Sequence, residues 1–232
     1  MSKVLIIVNA EVNEVGKIIA ASPATERMIA AIQSAIPASA SQTIQTEVIA
    51  PANLWAKTNT MAASDTIYCP LTIQLPDNFI FPGKEVFAAC KNIKERRHWV
   101  ESNLNYQVSS GNSGLGDLWL PIVLTEKGPL YGEVIGEGAI PNSYEQPIDL
   151  PDAQRKPLYR LAYNVLESIS ALPAVYLLQF SLREKEIVFD RLWPFPAAPA
   201  LASMGVQEPN LYTCHWHCLM GEPVFDMAIA PA

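Results

Sequence analysis

The chain has 232 residues, half of them hydrophobic and 17% charged, and a net charge of −7. That is enough for one larger domain or two small lobes with a sizeable core. It excludes a disordered chain, which needs low hydrophobicity and high net charge. The acidic balance argues against a broad nucleic-acid surface, which needs clustered Lys and Arg.

No apolar run reaches the ~18 residues of a membrane span. The opening "MSKVLIIVNAEVNE" has one lysine and a short apolar run, Val4 to Val8. It is too short for the apolar core of an export signal and reads as a buried strand over 3–10. A cytoplasmic location with reduced thiols is therefore expected. Cys69 and Cys90 read as small buried hydrophobes. A helical stretch is expected over 14–36, interrupted near "SPATE", where Ser22-Pro23 suits a helix start. Met28, Ile29, Ile32 and Ile36 then share a face. "TIQTEVIAP" (43–51) and "DTIYCPLTI" (65–73) are strand candidates, so the start of the chain reads as a small strand–helix–strand unit.

Residues 83–103 read as one helix with Val86, Cys90, Ile93 and Val100 inside. Its basic run "KNIKERR" (91–97) is expected to be a solvated face. The loop "VSSGNSGLGD" (108–117) has a glycine order that differs from the dinucleotide fingerprint. "LWLPIVLTE" and "LYGEVIGEG" read as paired strands joined at 127–129. Residues 152–171 carry the clearest apolar stripe: Leu158, Leu161, Ala162, Val165, Leu166 and Ile169. "AVYLLQFSL" and "EIVFDRL" form an expected antiparallel hairpin.

"LYTCHWHCLMGEP" (211–223) holds two cysteines and two histidines. The segment reads as a helix, with Pro209 at its first turn and Gly221 as terminator. At 100° per residue Cys214 and Cys218 share a face, while His215 and His217 diverge to either side. All four side chains cannot meet on one ion, so no metal is expected. A partial site of Cys214, His217 and Cys218 with a ligand from elsewhere is the alternative. On the packing reading, Leu211, Cys214 and Cys218 point inward and His217 reaches solvent.

This segment, with the residues before it, resembles the carboxyaminoimidazole ribonucleotide synthase branch of the ATP-grasp ligases, a purine-pathway ATPase family. The family pattern F-x-x-H-L-R followed by G-x-P is matched by Tyr212, His215, Trp216, His217 and Gly221-Glu222-Pro223. Its N-E-x-x-P-R-P-H strand and loop are matched in register by "DRLWPFPAAPAL" (190–201). "FPGKEVFAACKNIKERRHWVE" and "LPIVLTEKG" match further upstream motifs loosely, so the resemblance spans roughly 79–225. It implies an α/β fold: a truncated ATP-grasp-like scaffold with an N-terminal unit over 1–78 and an antiparallel sheet flanked by helices over 79–232.

The departures bear on activity. The family holds Mg-ATP with two carboxylates on adjacent strands, because Mg²⁺ wants oxygen ligands. In register, the second carboxylate falls on Arg191 and the first on Leu178, or on Gln179 after a one-residue slip. The family asparagine becomes Asp190, and strand alternation is expected to turn Asp190 and Arg191 to opposite sides. The substrate-loop Arg and His become Phe195 and Ala197. The family lid would have to fit in about fifteen residues, 104–118, which contain no lysine. The expectation is a non-catalytic protein without cofactor, acting through ligand or protein binding, with a protein partner or homodimer and neither nucleic acid nor membrane. Asp190, Arg191, Trp193, Phe195 and His215 are the candidate ligand or interface residues. The alternative is a nucleotide-binding ATP-dependent ligase of purine metabolism using Mg-ATP, with Asp190 and Glu186 or Glu133 as metal ligands.

Overall fold

The computed structural model describes residues 3–13, 17–36, 44–57, 66–111, 116–140 and 142–230. The readings at 14–16 and 112–115 lie outside the described residues. Strand β1 (Lys3–Ile7) is central in a parallel three-stranded sheet, between β4 (Gln45–Ile49) and β5 (Thr66–Pro70). Val4 to Val8 are fully buried, as a strand covered on both faces requires. Helix α1 (Pro23–Ala35) connects β1 to β4 and starts where Ser22 Oγ accepts the Thr25 N–H at 3.1 Å. Its Met28, Ile29 and Ile32 are buried.

The long N-terminal helix of the sequence reading is shorter than expected. Glu11–Val12 (β2) and Ile18–Ala20 (β3) form an antiparallel ribbon instead. The β-branched Ile18 and Ile19 favour strand pairing, so the helix begins only at the Ser22 cap. Helix α2 (Pro51–Lys57), Phe79 and Phe81 cover the outer face of this sheet, where Tyr68 of β5 meets both phenyl rings.

The expected helix 83–103 is two helices, α3 (Lys84–Lys91) and α4 (Ile93–Leu104). Asn92 leaves helical geometry at φ −84° and ψ 70° and caps the second helix, its amide also donating to Glu95 Oε2 at 2.6 Å. The basic run is not a solvated face, because Arg96 and Arg97 are both buried. Ile93 is only partly buried.

A seven-stranded sheet follows. Its members are β6 (Gln107–Val108), β7 (Leu118–Thr125), β8 (Gly128–Tyr131), β9 (Val134–Glu137), β10 (Tyr144–Ile148), β11 (Ala174–Arg183) and β12 (Glu186–Trp193). The spatial order is β10-β9-β7-β11-β12-β6, with β8 also on β7. β11 and β12 form the expected antiparallel hairpin. One sheet face packs on α5 (Asp152–Ser168) and on α3 and α4; Leu158, Leu161 and Val165 meet Leu120, Leu178, Phe180 and Phe189 there. The other face packs on the 3₁₀ turn Ala198–Ser203, on α6 (Leu211–Met220) and, through them, on α1 and the small sheet.

The Cys-His segment is α6. Asn210 is the cap, its side chain accepting the N–H groups of Tyr212 and Thr213, and Gly221 ends the helix at φ 67°. Pro209 therefore stands before the cap and not in the first turn, because the Asn210 side chain supplies the acceptor a cap needs. Leu211, Cys214 and Cys218 point inward, and His217 keeps about a third of its side chain exposed.

Candidate binding cleft

The small sheet has strand order β4-β1-β5: the chain leaves β1 for β4 on one side and returns with β5 on the other side of β1. A crevice opens outside the carboxyl ends of strands at such a reversal, and ligands of open α/β sheets bind there. Here Asn9 follows β1, and Thr72 and Gln74 follow β5. They face Trp119 of β7, Gln179 of β11, and Arg191 and Trp193 of β12 across a cleft of ≈ 460 Å³.

What Arg191 and Trp193 present to the cleft depends on one irregularity. Gln179 pairs with Arg191 and Phe180 pairs with Phe189, which leaves Asp190 as the extra residue of a β-bulge. Before the bulge, Ile187 and Phe189 pack on the α5 side. After it, Leu192 takes that side. The phase of the strand has shifted by one, and Arg191 and Trp193 turn to the cleft.

The bulge also corrects the expected separation of Asp190 and Arg191. Arg191 Nε donates to Asp190 Oδ1 at 3.0 Å. Asp190 is completely buried, and its carboxylate also accepts from Arg97 Nη2 at 2.6 Å and from the Gly116 N–H at 2.8 Å. Arg97 spends its other donors on backbone: Nε on Asp190 O and Nη1 on Gly111 O. Two cations around one carboxylate leave the cluster with a net positive charge.

Gln179 uses both ends of its amide. Nε2 donates to Gly116 O at 2.6 Å, and Oε1 accepts from Trp193 Nε1 at 3.0 Å. Gly116 must be glycine, because a Cβ there would overlap the backbone of Phe180. The guanidinium of Arg191 lies 5.5 Å from the centre of the Trp193 ring. Trp193 meets Phe195 edge-on, and Phe195 stacks on Phe87 of α3. The "WPFPAAP" loop thus caps the core with Phe195, while Trp193 stays half-buried as a cleft wall.

Of the candidate residues, Arg191, Trp193 and Phe195 line the cleft and Asp190 lies directly beneath it. His215 lies apart from it, on α6. It is buried, its Nδ1 accepts the Val175 N–H at 3.2 Å, and burial holds the imidazole at about 3, far below its usual value. Cys214 and Cys218 donate to Pro209 O and Leu124 O, and burial pushes their thiols up to about 12 and about 11. Among the described residues no three His, Cys, Asp or Glu side chains converge.

The metal ligands of the ligase alternative are engaged elsewhere. Glu186 accepts from Gln107 Nε2 at 2.6 Å, and Glu133 pairs with Arg155 at 3.0 Å. Arg97, Gly116 and Trp119 were missed by sequence reading. Arg97 could have been found: Val86, Cys90, Ile93, Arg97 and Val100 recur at spacings of four and three, so Arg97 falls on the buried stripe. A cation on such a stripe points to a buried acid.

The layered arrangement is that of the ATP-grasp fold. Sequence comparison finds no matching family model and no matching curated protein. Among solved structures, the glycinamide-RNase-transformylase T of Mycobacterium tuberculosis superposes with TM-score 0.67 at 13% identity, over 96% of this chain and 80% of that one. The N5-carboxyaminoimidazole ribonucleotide synthetase of Thermotoga maritima gives 0.63 at 12%, over 97% and 77%. The N5-carboxyaminoimidazole synthetase of Staphylococcus aureus, in a complex with ADP, gives 0.67 at 8%, over 98% and 80%. The chain therefore has the fold of the purine-pathway ATP-grasp enzymes.

That fold implies Mg-ATP held by carboxylates on adjacent strands, and the residues here do not fit it. The opposed pair on β11 and β12 is an amide and a guanidinium. The neighbouring carboxylate is enclosed by two arginines and a backbone N–H. Between α4 and β7 the only regular element among the described residues is the two-residue β6, which leaves no room for a lid of several strands. No helix is long and apolar enough to cross a membrane among the described residues.

Proposed function

We propose that this protein is a non-catalytic member of the ATP-grasp-like proteins and acts by binding a ligand in the cleft between its two sheets. The observation that carries this reading is the direct pairing of Gln179 with Arg191. Magnesium needs hard oxygen donors, and a guanidinium at that position repels it while offering an anion the charge the metal would have supplied. The residual N-terminal switch-point crevice supports binding as the retained role. The chain works without ATP or another cofactor, in the cytoplasm, and its remaining surface is available to a protein partner or a second copy.

The test is a thermal melt with and without Mg-ATP, paired with an ATPase assay. A ligand at 100 times its dissociation constant stabilises by ~2.7 kcal/mol, several degrees at this size. The expected result is no shift and no hydrolysis. A shift of that size that vanishes with EDTA would restore the ligase reading.

A further inference from the structure

We infer that the cleft binds a small aromatic oxyanion, a carboxylate or phosphate carried on a planar ring, through the outer edge of Arg191. The inference rests on reading the cleft as one without Mg-ATP chemistry, and it names the class of ligand that replaces it.

The guanidinium is held before any ligand arrives. Its Nε is fixed by Asp190 and its face by the Trp193 ring, which is itself fixed by Gln179. Among the described residues Nη1 and Nη2 of Arg191 have no hydrogen-bond partner, and neither is sealed from solvent. The two outer N–H groups of a guanidinium form a fork that matches two oxygens of one anion. Among the described residues no other charged side chain lines the cleft; its polar lining is neutral, with Asn9, Thr72, Gln74 and Tyr144. The Arg97–Asp190–Arg191 cluster therefore sets a positive field at the cleft floor, inside a protein whose overall charge is −7.

The rest of the ligand is specified by the walls. Trp119 and Tyr144 meet at right angles with ring centres 5.4 Å apart on one side, and Trp193 and Phe195 meet edge-on on the other. Faces and edges so placed receive a planar ring. The cleft volume, ≈ 460 Å³, lies in the range of sites for small molecules.

Calorimetric titration with 2-naphthoate, 2-naphthyl phosphate and neutral 2-naphthamide tests this. One or both acids should bind at least about tenfold more tightly than the amide, the worth of a charged hydrogen-bonded contact. The preferred acid tells carboxylate from phosphate. Arg191→Gln should abolish the advantage of the acid. Arg191→Lys, which keeps the charge without the fork, should retain part of it. Equal binding of acid and amide, unchanged acid binding by Arg191→Gln, or no binding of any of the three would overturn the inference. The amide comparison needs no substitution, so it holds even where a variant folds poorly. Failure of all three probes with no Mg-ATP shift would remove the inference alone; an EDTA-sensitive Mg-ATP shift would remove the reading beneath it.

Discussion

Arg97 on α4 holds Asp190 on β12 twice, through the backbone carbonyl at 3.0 Å and through the carboxylate at 2.6 Å. The pair clamps the helix layer to the bulge that aims the cleft residues. Both partners are buried, so loss of one strands the other away from water. Removing one member of a buried ion pair costs about 3–5 kcal/mol, whereas replacing both by apolar groups can be near neutral. Arg97→Met and Asp190→Leu should each lower the melting temperature by roughly 6–20 °C at this chain length. The double variant should lose much less than the sum. An additive double variant in a thermal-melt cycle would show that the pair is not the clamp described here.

Gly116 should tolerate no side chain. Its backbone presses against Phe180 while its N–H reaches Asp190 and its carbonyl receives Gln179. Gly116→Ala must push two strands apart, at a cost of about 1–3 kcal/mol for overpacking. Gly128→Ala at the β7–β8 turn meets no neighbouring atom, and its cost is backbone strain at φ 122°, a conformation that L side chains rarely adopt. Denaturant melts of the two variants should also separate in the cleft: only Gly116→Ala should weaken ligand binding.

His215 predicts a direction of pH dependence. Burial lowers its folded pKa to about 3 from the ordinary imidazole value of 6.5. Between these values the unfolded chain binds a proton that the folded chain refuses. Stability is therefore fully present above about pH 6.5 and falls as the pH drops toward 3, by at most ~1.4 kcal/mol per unit from this residue. In His215→Asn the Oδ1 can still accept the Val175 N–H, and the extra acid slope should disappear. Urea melts from pH 7 to 4 on both proteins check this. Parallel slopes would place the imidazole in water.

The four thiols should be inert in the native protein. Burial raises Cys69, Cys90 and Cys214 to about 12 and Cys218 to about 11. At pH 8 the thiolate fraction is on the order of 0.1% or less, and the thiolate is the reactive form. A chromogenic disulfide reagent should react only after denaturant is added. Fast native reaction of one thiol would identify a locally open α3, α6 or β5.

Strands and helices with a clean period were legible from sequence: β1 as a continuous apolar run, α5 from its stripe, and the β11–β12 hairpin from two runs around a charged turn. Gly221 was legible as a helix stop because its position demands a left-handed backbone. The cleft was only half legible. Its β12 side could be named, since Arg191 and Trp193 stand in a motif. Its other walls come from Trp119 and Tyr144, far away in sequence, where Trp119 reads as an ordinary strand aromatic and Tyr144 stands in no expected element. The partnership of Arg97 and Asp190 was hidden by composition, because a run rich in Lys and Arg reads as surface unless its position on the stripe is counted. The Asp190–Arg191 contact was hidden by the rule of alternation itself, which holds only until a strand gains an unpaired residue.

That unpaired residue has a consequence for how the chain can change. Deleting Asp190 would remove the unpaired residue and leave a regular hairpin in the present register, with Phe189 still opposite Phe180 and Arg191 still opposite Gln179. Arg191 and Trp193 would still face the cleft and Leu192 the α5 side, but Arg97 and Arg191 would lose the carboxylate that they share. The single codon for Asp190 thus adds a buried carboxylate without changing which way the strand beyond it faces. A deletion after the bulge, at Leu192, would instead turn Trp193 toward the α5 side chains.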